Sequence, residues 1–173
     1  MKKQFFSSML MMVFSIASNA QVKDATQHIK QQAEKMGAAF LASDYKTFAS
    51  FTYPEIVKAM GGPAKMVETL EKSINDMKGV GMSFTKISFD DPSKLIRQGS
   101  EWQSTIPQHL EIKLKQGRVV TTSTLIAFSR DNGANWTFID TSNKDIATLR
   151  KVLPNLSPSI TIPPQQPPVK YDN

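Results

Sequence analysis

The spacing of the hydrophobic residues changes at Gly81 and divides the chain into two halves. Before Gly81, apolar residues recur every three or four positions, which is the period of an amphipathic helix. After it, apolar and polar residues alternate and β-branched residues become frequent, as is typical of half-buried strands. The sequence therefore predicts an α+β domain in which N-terminal helices pack on an antiparallel sheet.

Glycine and proline mark the ends of the predicted elements. The first half should form four helices, at Val22–Phe40, around Tyr45, from Pro54 to Met60 and from Pro63 to Gly79. The second half should form five strands and a closing helix. The strands are predicted at Met82–Phe89, Lys94–Gln98, Trp102–Leu114, Val119–Ser129 and Asn135–Asp140, and the helix at Lys144–Leu153.

The long strands should form hairpins, and the turns predict which residues face each other. Two-residue turns would place Leu114 opposite Val119 and Ala127 opposite Phe138. One face of the sheet then collects the large apolar residues of a core. Its members are Trp102, Ile106, Leu110, Ile112, Leu125, Trp136 and Phe138.

The other face of the sheet carries a second apolar patch, formed by Val120, Ile126, Phe128 and Ile139. A monomer rarely leaves such a patch exposed to water. We expect it to pair with its copy in a symmetric homodimer, with a polar rim of Glu111, Thr122 and Thr124. The alternative is that the helix from Lys144 or the C-terminal tail folds back over the patch and keeps the chain monomeric.

The N-terminus has the three regions of a secretory signal peptide. Lys2 and Lys3 supply the positive charge, Phe5–Ala17 is apolar, and Ser18-Asn19-Ala20 offers small residues for cleavage after Ala20. Residues 1–20 are therefore predicted to be removed, which predicts a periplasmic or secreted protein. The chain has no cysteine, so neither a lipid-modified cysteine nor a disulfide is available, and no membrane anchor is expected after cleavage.

Residues 21–153 are expected to form the single domain, and residues 154–173 a disordered, proline-rich tail. The net charge of the whole chain is +6. Lys and Arg are scattered among acidic residues, with no basic run interleaved with aromatic residues. This distribution argues against a nucleic-acid partner.

The order of helices and hairpins resembles the NTF2-like superfamily, the cone-shaped α+β fold that SnoaL-like proteins and ketosteroid isomerase share. Phe40 followed by Ser43-Asp44-Tyr45 resembles the helix-break-helix that begins such domains, and Tyr53-Pro54 resembles a segment of exported bacterial members. Trp136-Thr137-Phe138-Ile139-Asp140 is similar to their final strand. The resemblance covers Asp24 to Leu153. It implies a strongly curved sheet, a pocket between the first helix and the sheet, and frequently a dimer.

The resemblance implies no single activity, because members of the superfamily range from isomerases to accessory domains. The carboxylate and tyrosine set of the isomerases cannot be placed on this sequence. We therefore expect a non-enzymatic domain that binds a small apolar ligand or a protein partner, without a cofactor. Four aromatic residues could line the pocket or could equally be ordinary core residues: Tyr45, Tyr53, Trp102 and Trp136.

The alternative is a small enzyme of the SnoaL or isomerase type. His109 and Glu111 lie two apart on a predicted strand and hence on one face, where they could form an acid/base pair. The same spacing is what any half-exposed strand shows. His28 is the other histidine of the chain, and its spacing from His109 predicts no metal site.

One motif is well defined. Residues Ser129 to Trp136 match the Asp-box, Ser-x-Asp-x-Gly-x-x-Trp, known from sialidase propellers. A propeller repeats such a motif in each blade and needs a much longer chain, whereas this chain has one copy. The motif is therefore interpreted as a tight turn in which the Asp caps backbone groups and the Trp packs beneath.

Overall fold

The computed structural model describes residues 13–142 and 144–172, with side chains from Ala25 onward. Helices are followed by a six-stranded antiparallel sheet that curls into a half-barrel, so the predicted α+β class is confirmed. The predicted signal peptide lies mostly outside the described residues, and residues 13–20 belong to the first helix. Within the described part of the chain, no helix is long and apolar enough to cross a membrane.

The helices of the first half lie close to their predicted positions. They are α1 (Val13–Leu41), α2 (Tyr45–Ser50), α3 (Pro54–Ala59) and α4 (Pro63–Gly79). α1 begins before the predicted Val22, because neither Gly nor Pro interrupts the residues that precede it. The carboxylate of Asp44 caps α2 by accepting a hydrogen bond from the Thr47 N–H at 3.0 Å.

The second half supplies the sheet and a short helix. These elements are β1 (Ser83–Phe89), β2 (Ile96–Gln98), β3 (Glu101–Lys113), β4 (Arg118–Ser129), β5 (Thr137–Asp140), α5 (Ile146–Val152) and β6 (Val169–Tyr171). The main path runs β1-β3-β4-β5, while β2 also pairs with β3 and β6 with β4. The two long strands, β3 and β4, therefore form the centre of the half-barrel.

One predicted pairing is confirmed and the other is wrong. Ala127 lies opposite Phe138, as predicted. In the β3–β4 hairpin, however, Lys113 lies opposite Arg118, because the loop has four residues and closes through a 3.0 Å hydrogen bond from Leu114 N to Gly117 O. The register shifts by two positions, and an even shift leaves every side chain on its predicted face.

The first core lies between α1 and one face of the sheet, which we call the inner face. Gly37 allows this approach, since a Cβ there would lie 3.0 Å from the Cγ2 of Ile87. Ile106, Leu125, Trp136 and Phe138 are buried here as predicted, whereas Leu110 and Ile112 are partly exposed. The buried members are Ala25, Ile29, Ala33, Met36, Phe89, Ile106, Leu125, Ala127, Trp136 and Phe138.

The second core lies on the opposite, outer face and is closed by the C-terminal part of the chain. Its buried residues are Tyr53, Ile126, Phe128, Ile139, Leu149, Leu153, Leu156 and Ile160. The apolar patch predicted on this face is thus covered by α5 and the residues after it, as in the alternative to the homodimer. Val120 is partly buried and lies opposite Val169 of β6. The oligomeric state of the protein stays a prediction.

The C-terminal segment differs from the expected disordered tail. Leu156 and Ile160 are 5% and 2% exposed, and residues Val169–Tyr171 pair with β4. The prolines prevent a helix but allow extended chain, and the apolar residues between them pack on the outer face. Burial of these side chains compensates for the ordering of the segment.

The Asp-box motif forms the turn between β4 and β5. The Oδ1 of Asp131 accepts hydrogen bonds from the Ser129 hydroxyl at 2.8 Å and from the Asn135 N–H at 2.9 Å. The indole N–H of Trp136 donates to Gly133 O at 2.9 Å. Gln32 of α1 holds the turn from outside, since its amide donates to Ala134 O and accepts from the Trp136 N–H. The motif therefore acts as a structural turn that fixes α1 to the sheet.

Replacement of Asp131 by alanine should lower the free energy of unfolding by about 1 kcal/mol at pH 7, the usual contribution of a capping side chain. Burial acts to raise the pKa of Asp131, but the hydrogen bonds from Asn135 and Ser129 outweigh it, and the pKa lies below its ordinary value. A lowered pKa stabilises the fold above the unfolded pKa, and this contribution is lost as the pH falls through the folded value.

The difference between the wild type and Asp131→Ala should therefore shrink below about pH 4. Urea unfolding at pH 7 and at pH 3 measures it. Asp76→Ala, which removes an exposed carboxylate of α4, is the matched control. A loss of stability by Asp131→Ala that is the same at both pH values would contradict the prediction.

Candidate ligand cavity

A cavity of about 350 Å³ lies between α1, the short helices and the inner face of the sheet. Most of its wall is apolar. The apolar residues that line it are Met36, Phe40, Phe48, Ile56, Met66, Phe84, Ile87, Leu110, Leu125, Phe138 and Ile139. Every helix from α1 to α4 and every strand of the main path contributes to this wall.

Phe40 organises the aromatic part of the wall. Its ring centroid lies 5.3 Å from that of Phe48 and 5.1 Å from that of Phe84, the second pair in an edge-to-face arrangement. Tyr45 contacts Phe40 from the other side, at 5.8 Å. These contacts join α1, α2 and β1 in one aromatic cluster, three of whose rings line the cavity.

Two polar side chains stand on the inner face beside the apolar wall. Gln108 lines the cavity and is 6% exposed. Ser123 lies directly opposite it on β4, is 8% exposed, and its Oγ has no hydrogen-bond partner. Asp140 and Lys144 also line the cavity, but both are exposed.

A second cluster of polar residues lies on the outer face, where α3 meets the sheet. Glu101 is 1% exposed, and its carboxylate accepts a 2.6 Å hydrogen bond from the Nε of Arg130. The Nη2 of Arg130 donates hydrogen bonds to the Tyr53 hydroxyl and to Glu55, each at 2.8 Å. We call these four residues the ion-pair cluster.

The ion-pair cluster shifts the pKa values of three of its members. Burial, followed by the charge of Glu101, raises the pKa of Tyr53 to about 12. Hydrogen bonds to Glu55 and Glu101 raise the pKa of Arg130. Burial acts to raise the pKa of Glu55, yet the hydrogen bond from Arg130 brings it below its ordinary value. Tyr53, Arg130 and Glu55 therefore keep their usual charge at neutral pH, as expected of a structural cluster.

The ion-pair cluster also holds the C-terminal segment. Gln103, which neighbours Glu101 on the outer face, donates from Nε2 to Asn155 O at 2.8 Å. Its Oε1 accepts from the Ser157 N–H at 2.9 Å. The side chain of Asn155 donates to Glu101 at 3.4 Å. The cluster therefore links α3, the sheet and the residues that close the second core.

The four aromatic residues proposed for the pocket are not brought together, and none of them lines the cavity. Tyr45 lies behind Phe40, and Tyr53 stacks on Phe128 in the second core with ring centroids 4.3 Å apart. Trp136 is buried in the first core under the Asp-box turn. Trp102 is partly buried, and the Arg97 guanidinium lies over its ring. Their alternative interpretation as ordinary core residues describes them better.

His109 and Glu111 both project from the outer face of β3 and have separate partners. The Nε2 of His109 lies 3.0 Å from Asp90 Oδ2, and its Nδ1 lies 3.0 Å from Thr122 Oγ1. Glu111 bonds to Arg118 and Thr85. Neither residue lines the cavity on the opposite face. The structure therefore does not assemble them into an acid/base pair.

No group of three or more His, Asp or Glu side chains in the described residues is arranged to hold a metal ion. Sequence reasoning missed Gln108, Ser123 and the ion-pair cluster. The signal for Gln108 was visible, since it shares the parity of Ile106 and Leu110 on a strand face whose other residues, apart from Ser104, are apolar. Comparison of the chain with known protein families, curated proteins and solved structures finds no match.

Proposed function

We propose that this protein is a non-enzymatic domain of the NTF2-like type that binds a small apolar ligand between α1 and the inner face of the sheet. The observation that carries the proposal is the cavity of about 350 Å³ with its apolar wall. Small-molecule sites are mostly apolar and measure roughly 300 to 1,000 Å³. The volume suits a ligand near the lower end of this range.

The arrangement of the elements supports the NTF2-like part of the proposal. A long first helix lies on a curled antiparallel sheet whose longest strands form a hairpin. The residues Trp136 to Asp140, which resemble the final strand of that superfamily, lie beside β4 at the edge of the main path. Export, proposed from residues 1–20, would place the binding domain in the periplasm or outside the cell.

The chemistry of the wall favours binding over catalysis. Its two ionisable residues, Asp140 and Lys144, are both exposed. The Oδ1 of Asp140 accepts hydrogen bonds from the Ser142 N–H and hydroxyl, at 2.8 and 2.6 Å. A general acid or base needs to reach the substrate from a position where its proton can be transferred. The buried part of this cavity offers contact area for an apolar molecule instead.

Filling the cavity should abolish ligand binding. Leu110→Trp places an indole in the cavity wall, whereas Val152→Trp adds one on the exposed side of α5 and serves as the control. We expect 2-methylnaphthalene to bind the wild type and the control alike, with a dissociation constant near or below about 100 μM, equivalent to roughly −5.5 kcal/mol. Its affinity for Leu110→Trp should be at least tenfold weaker.

Titration followed by naphthalene fluorescence measures these affinities, and circular dichroism checks that each variant is folded. Equal binding by Leu110→Trp and by the wild type would place the ligand elsewhere. The non-enzymatic part has its own test. If a bound compound is converted, and His109→Ala stops the conversion but preserves binding, the protein is an enzyme.

A further inference from the structure

Four buried polar side chains form no hydrogen bond to another described residue, namely Thr105, Gln108, Ser123 and Thr124. Gln108 and Ser123 are the two of these that lie on the inner face. Gln103, five residues before Gln108 on β3 and on the outer face, uses both ends of its amide in hydrogen bonds to the C-terminal segment. Ser104 donates to Ser93 O at 2.8 Å. The amide of Gln108, by contrast, bonds to no other described residue, and the Ser123 hydroxyl is buried without a partner.

The two unpartnered groups are neighbours that face the same way. Gln108 and Ser123 are directly opposite in the β3–β4 register, so their side chains lie on the same face of the sheet. That face lines the cavity through Leu110, two residues along β3, and Leu125, two residues along β4. Of the pair, Gln108 lines the cavity, whereas Ser123 lies beside it, outside the cavity wall.

A buried polar group without a partner destabilises a fold, and native proteins keep few of them. Leucine in place of Gln108 would keep the shape of the wall without an unpaired amide. An amide without a protein partner in a mostly apolar wall is therefore best explained by a partner that binds there. This partner must bring its own hydrogen-bonding atom into the cavity.

We infer that the ligand of the cavity has an apolar body and one neutral hydroxyl or carbonyl head group, which Gln108 binds. The inference rests on the proposed function and specifies its ligand. The amide of Gln108 offers both a donor and an acceptor. Gln108 is uncharged, and the only cation on the wall in the described residues, Lys144, is exposed, so a buried ionised head group would lack a counter-charge.

The size of the cavity limits the body of the ligand. One water occupies about 30 Å³ in the liquid, so 350 Å³ accommodates about a dozen non-hydrogen atoms. A bicyclic aromatic alcohol has this size and carries one hydroxyl. We therefore choose as probes 2-naphthol and 2-methylnaphthalene, which have nearly the same shape and differ by a hydroxyl in place of a methyl group.

The test compares the affinity ratio of the two probes in the wild type and in Gln108→Leu. The two probes differ in hydration, but this difference is the same for both proteins and cancels when the two ratios are compared. A change in the ratio therefore reports the contact of the protein with the head group. The preference for 2-naphthol should fall about five- to tenfold in Gln108→Leu, which corresponds to the net contribution of one hydrogen bond. Gln116→Leu, at an exposed position, should show the same ratio as the wild type.

A second measurement does not depend on the probes. Ser123→Ala removes an unpartnered hydroxyl, so the melting temperature of the free protein should rise by about 2 to 4 °C. A role of Ser123 in stabilising the free fold would instead lower the melting temperature.

The outcomes separate the inference from the proposed function. If both probes bind the wild type but Gln108→Leu leaves their affinity ratio unchanged, the head-group site is wrong and the apolar cavity stands. If neither probe binds the wild type, the proposed function fails and the inference fails with it. Binding of both probes by the wild type, together with a fall in the ratio in Gln108→Leu, would support both.

Discussion

Truncation of the chain after Leu153 should lower the free energy of unfolding by about 4 kcal/mol, because Leu156 and Ile160 each bury a large apolar side chain worth roughly 1.5 to 3 kcal/mol. The truncation also removes the hydrogen bonds that join Gln103 to Asn155 and Ser157. Urea unfolding of both forms measures the loss. We expect the truncated protein to unfold at a lower urea concentration, with exposed Phe128 at the newly opened face.

A matched truncation after Ile162 removes only the exposed end of the chain with β6, and it should cost less than about 1 kcal/mol, as for most surface changes. Light scattering completes the test. The shorter form should self-associate at micromolar concentration through the uncovered patch, and Phe128→Glu should reverse this association. Equal stability of both truncated forms would show that the C-terminal segment does not close the second core.

Replacement of Arg130 by methionine should destabilise the protein by about 3 kcal/mol, since it leaves the carboxylate of Glu101 buried without its cation. The value lies at the lower end for a buried pair because the Arg130 side chain is 53% exposed, and water can partly reach it. Glu55→Gln removes the exposed partner of the same guanidinium and should cost less than about 1 kcal/mol.

A double variant isolates the pair. Glu101→Leu combined with Arg130→Met removes both charges, and it should recover most of the stability that Arg130→Met loses. Chemical unfolding of the wild type, Arg130→Met, Glu101→Leu and the double variant gives the coupling energy of the pair. A loss below about 1 kcal/mol in Arg130→Met would mean that the pair behaves as an ordinary surface ion pair.

Much of the fold could be predicted because its signals are local. The helix ends at Pro54, Pro63 and Gly79 and the turn at Asn132-Gly133 depend on residues close together in sequence. Apolar residues at both odd and even positions of β4 predicted that both faces of the sheet would carry apolar surface. The β3–β4 register could not be predicted in the same way, because the four-residue loop before Arg118 carries no glycine pair or other signal that specifies its length.

The candidate site was less accessible to sequence reasoning. Glu101 and Arg130 are far apart in the chain, and their contact depends on β3 and β4 being paired in the correct register. The cavity collects residues from four helices and four strands, so no single segment contains its pattern. Aromatic residues suggested a pocket, but Trp136 and Tyr53 are core residues, and the volume of a cavity follows from packing rather than from composition.

The closure of the second core sets an order for folding during synthesis. Leu149, Leu156 and Ile160 follow β5 in the chain, so translation at roughly 5 to 20 residues per second produces the main strands before their cover. Until then the outer face lacks this cover, although Tyr53 can already stack on Phe128, so apolar surface around Ile126 faces water on the partly made chain. The unfinished chain is therefore more prone to aggregation than the finished protein, and the arrival of its last apolar residues ends this exposure.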